Sequence, residues 1–267
     1  MKVSTFILAM AVPILFASGP VFSDWDVGEP HKMHFPQLPD PAGWDIEIFT
    51  SQHEVADDWQ CAQTGQVNDI HFWVSWQGDQ IGTIDTITAT IYDNIPDPQP
   101  GNPGTFSMPG AGKWSHTFGA ADFAVSDPVD VSPLLQGFAD PQQGPAAGWG
   151  PDDHRFYLQI NIENIRNVVE PFVQQEGEIY WLGLYADWLT GIQAPVGWKT
   201  SLDHFEDVAV YRNGGWLPLF EQGTGPGLDM AFVITPEPAS LALMGMAGLL
   251  LLSCRSRGRR KGNPGEQ

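Results

Sequence analysis

The sequence predicts an all-β protein: a jelly-roll-like β-sandwich with long Gly/Pro-rich loops, followed by a C-terminal transmembrane helix. Three observations carry this expectation. The middle of the chain alternates apolar and polar residues with a period of two, and almost no helical period is visible. The alternating runs are separated by connections rich in the chain's 29 glycines and 23 prolines, and proline keeps such connections out of sheets. Near the end, Ala239 to Cys254 form an uncharged and mostly apolar stretch.

The elements follow in order. Met1 and Lys2 precede a mostly apolar run from Val3 to Phe16, and a stretch of small residues leads to Ser23. A charged start, an apolar centre and a small-residue exit define a secretory signal peptide over residues 1–23, cut after Ser23. Pro13 breaks the apolar run, which argues against a lasting N-terminal anchor. Residues 24–235 form the sandwich ectodomain. Its first part, to about Trp44, has little pattern and several prolines, and is expected to wrap the sandwich edge.

Strands are expected next in "VNDIHFWVSW", with Ile70, Phe72, Val74 and Trp76 on one face, and in "TITATIYDN", with Ile87, Ala89 and Ile91 inward. "KWSHTF" and "RFYLQINIEN" alternate in the same way. "EIYWLGLYADW" is apolar on both faces, as a central strand requires. "DVAVYRNGGWLPL" holds the hairpin signal Asn213-Gly214. "LDMAFVIT" closes the domain. "DNIPDPQPGNPGTFSMPGAG" and "DPQQGPAAGWGPDD" read as long loops, giving about eight strands in all.

Charge narrows the function. The ectodomain holds six basic residues against 30 acidic ones, a net charge of about −24. Such a surface repels phosphate backbones, so nucleic acid is excluded as a partner. Cys61 is the one cysteine of the ectodomain, with Cys254 at the end of the apolar tail, so Cys61 is expected to be a buried free thiol.

No catalytic residue is assigned. Asp69, His71 and Ser75 invite a hydrolase reading, but on one strand His71 and Ser75 stand about 13 Å apart, and a nucleophile needs its base within hydrogen-bond reach. Asp57/Asp58, Asp152/Asp153 and Glu176/Glu178 are carboxylate pairs of the kind a glycosidase uses, yet pairs are expected by chance among so many acids. His31 and His34 lack a third metal ligand in sequence. The loop residues Asp93, Asn94 and Asp97 offer oxygens suited to a structural calcium, without an EF-hand pattern, and no other cofactor is expected. Trp149, Trp188, Trp198 and Trp216 fall in or near predicted loops, where aromatic rings either plug the sandwich ends or stack on sugars.

The tail has three parts. Pro236, Glu237 and Pro238 come first, then the apolar span, then Arg255, Arg257, Arg259, Arg260 and Lys261. The span would be about 24 Å long as a helix, short against a hydrocarbon core of about 30 Å, and the basic cluster holds its end in the cytoplasm. This arrangement, over residues 236–261, resembles the PEP-CTERM sorting signal of Gram-negative bacteria; residues 262–267 form a cytoplasmic tail end. The resemblance implies recognition by an exosortase, transient anchoring in the inner membrane, and delivery to the cell surface or extracellular matrix. "ADDWQCAQTGQVNDIHFWVSWQGD" also resembles an uncharacterised domain of secreted bacterial proteins through Ala56, Asp57, Asp58, Trp59, Cys61, Thr64, Gly65, Asp69, Ile70, His71, Phe72 and Trp73. The function expected is that of an exported, non-enzymatic surface or matrix protein that meets extracellular polysaccharide. A carbohydrate-binding module is the alternative, and a glycoside hydrolase or polysaccharide lyase the second.

Overall fold

Alternation becomes two large open β-sheets that share one core, with a two-stranded ladder of Gly65–Gln66 and Val173–Gln174 beside them. The structure, a computed structural model, describes residues 23–102, 104–144, 148–188 and 193–236. The expected signal peptide up to residue 22, Glu237, Pro238, the expected membrane helix and the basic cluster lie outside the described residues. Among the described residues no helix is long and apolar enough to cross a membrane, and the helical elements are three-residue 3-10 turns.

The larger sheet has ten strands. Its path runs Trp149–His154, Gln136–Ala139, Trp44–Glu47, Val196–Ser201, Asp69–Trp76, Phe156–Ile162 and Ala124–Val125. Only the pairing of Trp44–Glu47 with Gln136–Ala139 is parallel on this path. The smaller sheet has six antiparallel strands in the order Trp216–Pro218, Val210–Arg212, Val55–Gln60, Ile179–Asp187, Thr86–Ile95 and Met108–Gly119. The strand Ile179–Asp187 is central in it, as its two apolar faces require. This arrangement is consistent with a β-sandwich.

Aromatic rings join the sheets. Phe232 of the larger sheet meets Trp59 of the smaller edge-on, with centroids 6.1 Å apart, and Trp198 at 5.9 Å. Ile70, Phe72 and Val74 face this core, opposite Ile87, Ala89, Ile91, Leu182 and Leu184. Burial of such side chains at about 1.5–3 kcal/mol each is the main stabilising term.

The segment before Trp44 does wrap an edge, and it stitches the sheets together. Lys32 N donates to Ile234 O of the larger sheet, while His34 N donates to Gln60 O of the smaller. Gln37 N and Asp40 N then return to Phe232 O and Thr200 O. Its start also covers the outer face of Asp69–Trp76, where Trp25 meets Trp73 edge-on. All eight residues of that strand are therefore buried, although alternation implied one wet face.

Other expectations are corrected. The strands Thr86–Ile95 and Met108–Gly119 extend into the supposed long loop and form a hairpin, because a register shift near Tyr92 absorbs the Gly/Pro residues. Trp149–His154 is a strand at the sheet edge, where Pro151 is tolerated. The closing run is broken at Ala231, with Asp229–Met230 pairing with Val196–Ser201 and Phe232–Thr235 with Asp69–Trp76.

Candidate functional site

Three segments far apart in sequence bring Glu47, His53 and Asp140 together. Glu47 ends the strand Trp44–Glu47, and His53 ends the 3-10 turn Ser51–His53. Asp140 follows Gln136–Ala139 and caps the next turn, its side chain accepting from Gln142 N. His53 Nε2 lies 3.5 Å from Asp140 Oδ1 and 3.8 Å from Glu47 Oε1. One ligand atom from each of the three lies within 4.8 Å of the others. Glu47 and Asp140 border a cleft of about 240 Å³, walled by Trp149, Phe138, Gln77 and Gln143. Gly148 makes this closure possible, since a Cβ there would overlap the Asp140 carbonyl.

The electrostatics divide the roles. Burial, then the Asp140 charge, push Glu47 up to about 7. The bond to Asp140 raises His53 above its ordinary value. Burial acts against the Asp140 charge, but bonds from His53, Gln143 and Gln142 outweigh it and hold that carboxyl low. The set thus pairs an imidazole made more basic with a carboxyl held low, beside a second carboxyl pushed up to about 7. One imidazole and two carboxylates are also a donor set for a transition metal.

Two further polar clusters are built into the sheets. On the outer face of the smaller sheet, Glu54 accepts from Tyr92 Oη at 2.6 Å and from Arg212 Nε at 2.8 Å, and Arg212 lies over the Trp216 ring. Gly183 lies between them, because a Cβ there would stand 2.5 Å from Glu54 Oε1 and 2.9 Å from the Tyr92 ring. On the larger sheet, the fully buried Asp45 accepts from Lys199 Nζ at 3.2 Å and meets His154 Nε2 at 3.0 Å. His154 Nδ1 meets Asp153 at 2.8 Å, so both ring nitrogens are engaged.

The residues singled out from sequence fare differently. His71 meets Asn161 and Thr235, whereas Ser75 donates to Gln136, so they do not form a nucleophile and base. Glu176 and Glu178 lie on an exposed turn rather than along a strand face. Asp93 pairs with Lys113, Asn94 accepts from Trp181, and Asp97 accepts from Gln99 N. His31 meets the Met33 carbonyl, and His34 accepts from Gln60 N and stacks on Phe205. Trp198 is core, Trp188 stacks on Phe49, and Trp149 walls the cleft. Cys61 is 1% exposed and free. Pro236 follows the last strand directly; Glu237 and Pro238, the rest of the expected sorting motif, lie outside the described residues. Glu47, His53 and Asp140 carry no local motif, and only the tertiary fold reveals them.

Fold and site together define an acidic all-β domain built on two large sheets, with ionisable groups gathered in buried and half-buried clusters. Similarity to other proteins then places the chain: it belongs to the DUF7901 family, a domain of unknown function, whose profile matches residues 33–235. No curated protein and no solved structure matches it.

Proposed function

We propose that this chain is an exported, non-enzymatic component of the cell surface or extracellular matrix, a jelly-roll-like sandwich delivered by a PEP-CTERM tail. One observation carries the reading: the two expected processing points flank the folded unit, and its ends meet. Asp24 accepts from Asn161. Asn161 meets His71, which in turn meets Thr235. Residue 24 and residue 235 thus belong to one hydrogen-bonded chain. A signal-peptide cut after Ser23 and a sorting motif starting at Pro236 leave that chain whole. The exosortase would act on the strip beyond it, where proline opposes helix formation.

The test is the mass of the mature protein from its native host. It is expected to lack residues 1–23 and the basic cluster. Changing Pro236, Glu237 and Pro238 to alanine is expected to trap the full-length form in the inner membrane. Mature protein that keeps Arg255 to Lys261, with no effect of the triple change, rejects the reading.

A second reading has its own observation. Glu47 and Asp140 share a cleft with Trp149, and a close carboxyl pair beside an aromatic wall suits a saccharide. A glycan array probed with the ectodomain and with Glu47→Gln tests it. Binding lost in the variant supports a carbohydrate-binding module, and turnover lost in the variant supports a glycoside hydrolase or lyase. No binding and no turnover rejects both.

A further inference from the structure

Glu47, His53 and Asp140 are spaced as ligands of one ion are. His53 Nε2 stands 3.5 Å from Asp140 Oδ1 and 3.8 Å from Glu47 Oε1. A charge-assisted hydrogen bond closes to about 2.7–2.9 Å, so the imidazole sits loosely between the two carboxylates. A tetrahedral zinc ion with bonds of about 2.0–2.1 Å holds neighbouring ligand atoms about 3.3–3.4 Å apart. Both separations are within about 0.5 Å of that spacing, and one ligand atom from each of the three residues lies within 4.8 Å of the others. The set is no open acidic patch, since the side chains are only 14%, 20% and 13% exposed for Glu47, His53 and Asp140.

Each member is also fixed from outside the set. Asp140 Oδ1 accepts from Gln142 N at 2.9 Å and its Oδ2 from Gln143 Nε2 at 3.0 Å, the kind of outer bonds that orient a metal-binding carboxylate. Glu47 is placed by the pairing of its backbone with Gly197. His53 N donates to Thr50 O, and Thr50 is a β-branched residue held at φ 68, a costly backbone conformation. His53 Nδ1 is buried away from solvent, which leaves Nε2 as the nitrogen facing the carboxylates. We propose that Glu47, His53 and Asp140 bind a zinc ion, through one oxygen of each carboxylate and Nε2 of the imidazole. Calcium and magnesium take oxygen ligands, whereas a mixture of imidazole and carboxylate suits zinc. Three protein ligands leave one tetrahedral position for water, and the cleft that Glu47 and Asp140 border gives it room. The ion also clamps a crossing between the sheets, because residues 48–54 lead from Trp44–Glu47 of the larger sheet to Val55–Gln60 of the smaller. This site goes beyond the export reading and does not require a saccharide in the cleft.

The experiment uses the full-length protein in detergent, stripped with EDTA, dialysed, and titrated with zinc chloride in a calorimeter. A background of about 1 mM calcium, the weak end of extracellular sites, occupies the acidic surface. One zinc per chain is expected to bind in that background and to raise the unfolding temperature. Cobalt(II) is expected to give a visible absorption band that zinc displaces. His53→Gln keeps both carboxyls and removes the nitrogen. It is expected to weaken zinc binding about a hundredfold or more, since loss of a second-shell partner alone costs about 10–100-fold. Should that variant fail to fold, Glu47→Gln carries the same expectation. His204→Gln, a change at an exposed imidazole outside the set, keeps the full response. A wild type that takes up no zinc in calcium overturns the proposal. Zinc binding undiminished in both His53→Gln and Glu47→Gln, or lost through His204→Gln alone, also overturns it. No glycan enters these readouts, so a failed glycan array leaves the zinc site standing.

Discussion

Replacing Asp45 by asparagine removes the charge that faces a fully buried lysine. Asp45 and Lys199 are cross-strand partners with no exposed side-chain surface, and Lys199 Nζ lies 3.2 Å from Asp45 Oδ2. At an effective dielectric of about 20 that separation corresponds to an attraction of about 5 kcal/mol. Desolvation of the two ions offsets much of it, so the pair itself adds little net stability. Breaking it is different, because the ammonium stays buried without a carboxylate bonded to it, with the Gly43 carbonyl at 3.4 Å. The expected loss for Asp45→Asn is about 3–5 kcal/mol. Lys199→Met alone leaves Asp45 with His154, and the double variant leaves neither ion of the pair unpartnered. Urea unfolding of the four proteins closes a double-mutant cycle. The double variant is expected to be clearly less destabilised than the sum of the singles. A loss under about 1 kcal/mol for Asp45→Asn, or additivity within about 0.5 kcal/mol, would refute the argument.

Stability is expected to fall as pH rises from about 6.5 to about 8. His154 is held above its ordinary value because bonds to Asp45 and Asp153 outweigh burial, and its contribution is present below the unfolded value and lost as pH rises through the folded one. The raised Asp229 acts with the same sign, since the fold keeps a proton that the unfolded chain releases, up to about pH 8; denaturation midpoints that rise over this range contradict the assignment. Gly183→Ala forces Glu54 from Tyr92 and is expected to cost about 1–3 kcal/mol in urea unfolding, whereas an unchanged midpoint would mean the two side chains have room to part. Cys61 is buried, with its pKa raised first by burial, so Ellman's reagent is expected to react only after denaturation, and rapid labelling of the native protein would show it accessible.

The all-β character was legible because it depends on a short period. Each of the runs around Phe72, Ala89, Ile160 and Leu182 carries its own signal over a few residues. Strands without that signal escaped. Val55–Gln60 spends two of its six positions on buried aspartates, and Gln136–Ala139 is too short to show alternation. The wet face assigned to Asp69–Trp76 failed for a tertiary reason, since Trp25 and Gln159 close over it from elsewhere in the chain. The wrap of the leading segment was visible in its prolines, but not its pairing with both sheets. Sites were the least legible. Glu47 and Asp140 are 93 positions apart in the chain, and nothing local links them. Asp57 and Asp58 were visible as a pair, but their opposite environments follow from strand direction, which points one at Gln37 and Met230 and the other away.

The stitch between the leading segment and the last strand has a bearing on when the chain can finish folding. A polypeptide is made from its N-terminus, so Lys32 and Gln37 exist long before their partners Ile234 and Phe232. Until residue 235 has emerged, the Asp69–Trp76 strand lacks half of one edge, and the hydrophobic slot between Trp59 and Trp198 stays unfilled. Such sequence-distant closure is slow, because the loop entropy must be met before the contacts form. A chain released short of Phe232 would keep that slot open to chaperones and proteases, whereas one that reaches Thr235 can seal it. Completion of the domain thus falls to four residues at its very end, and the next residue is Pro236.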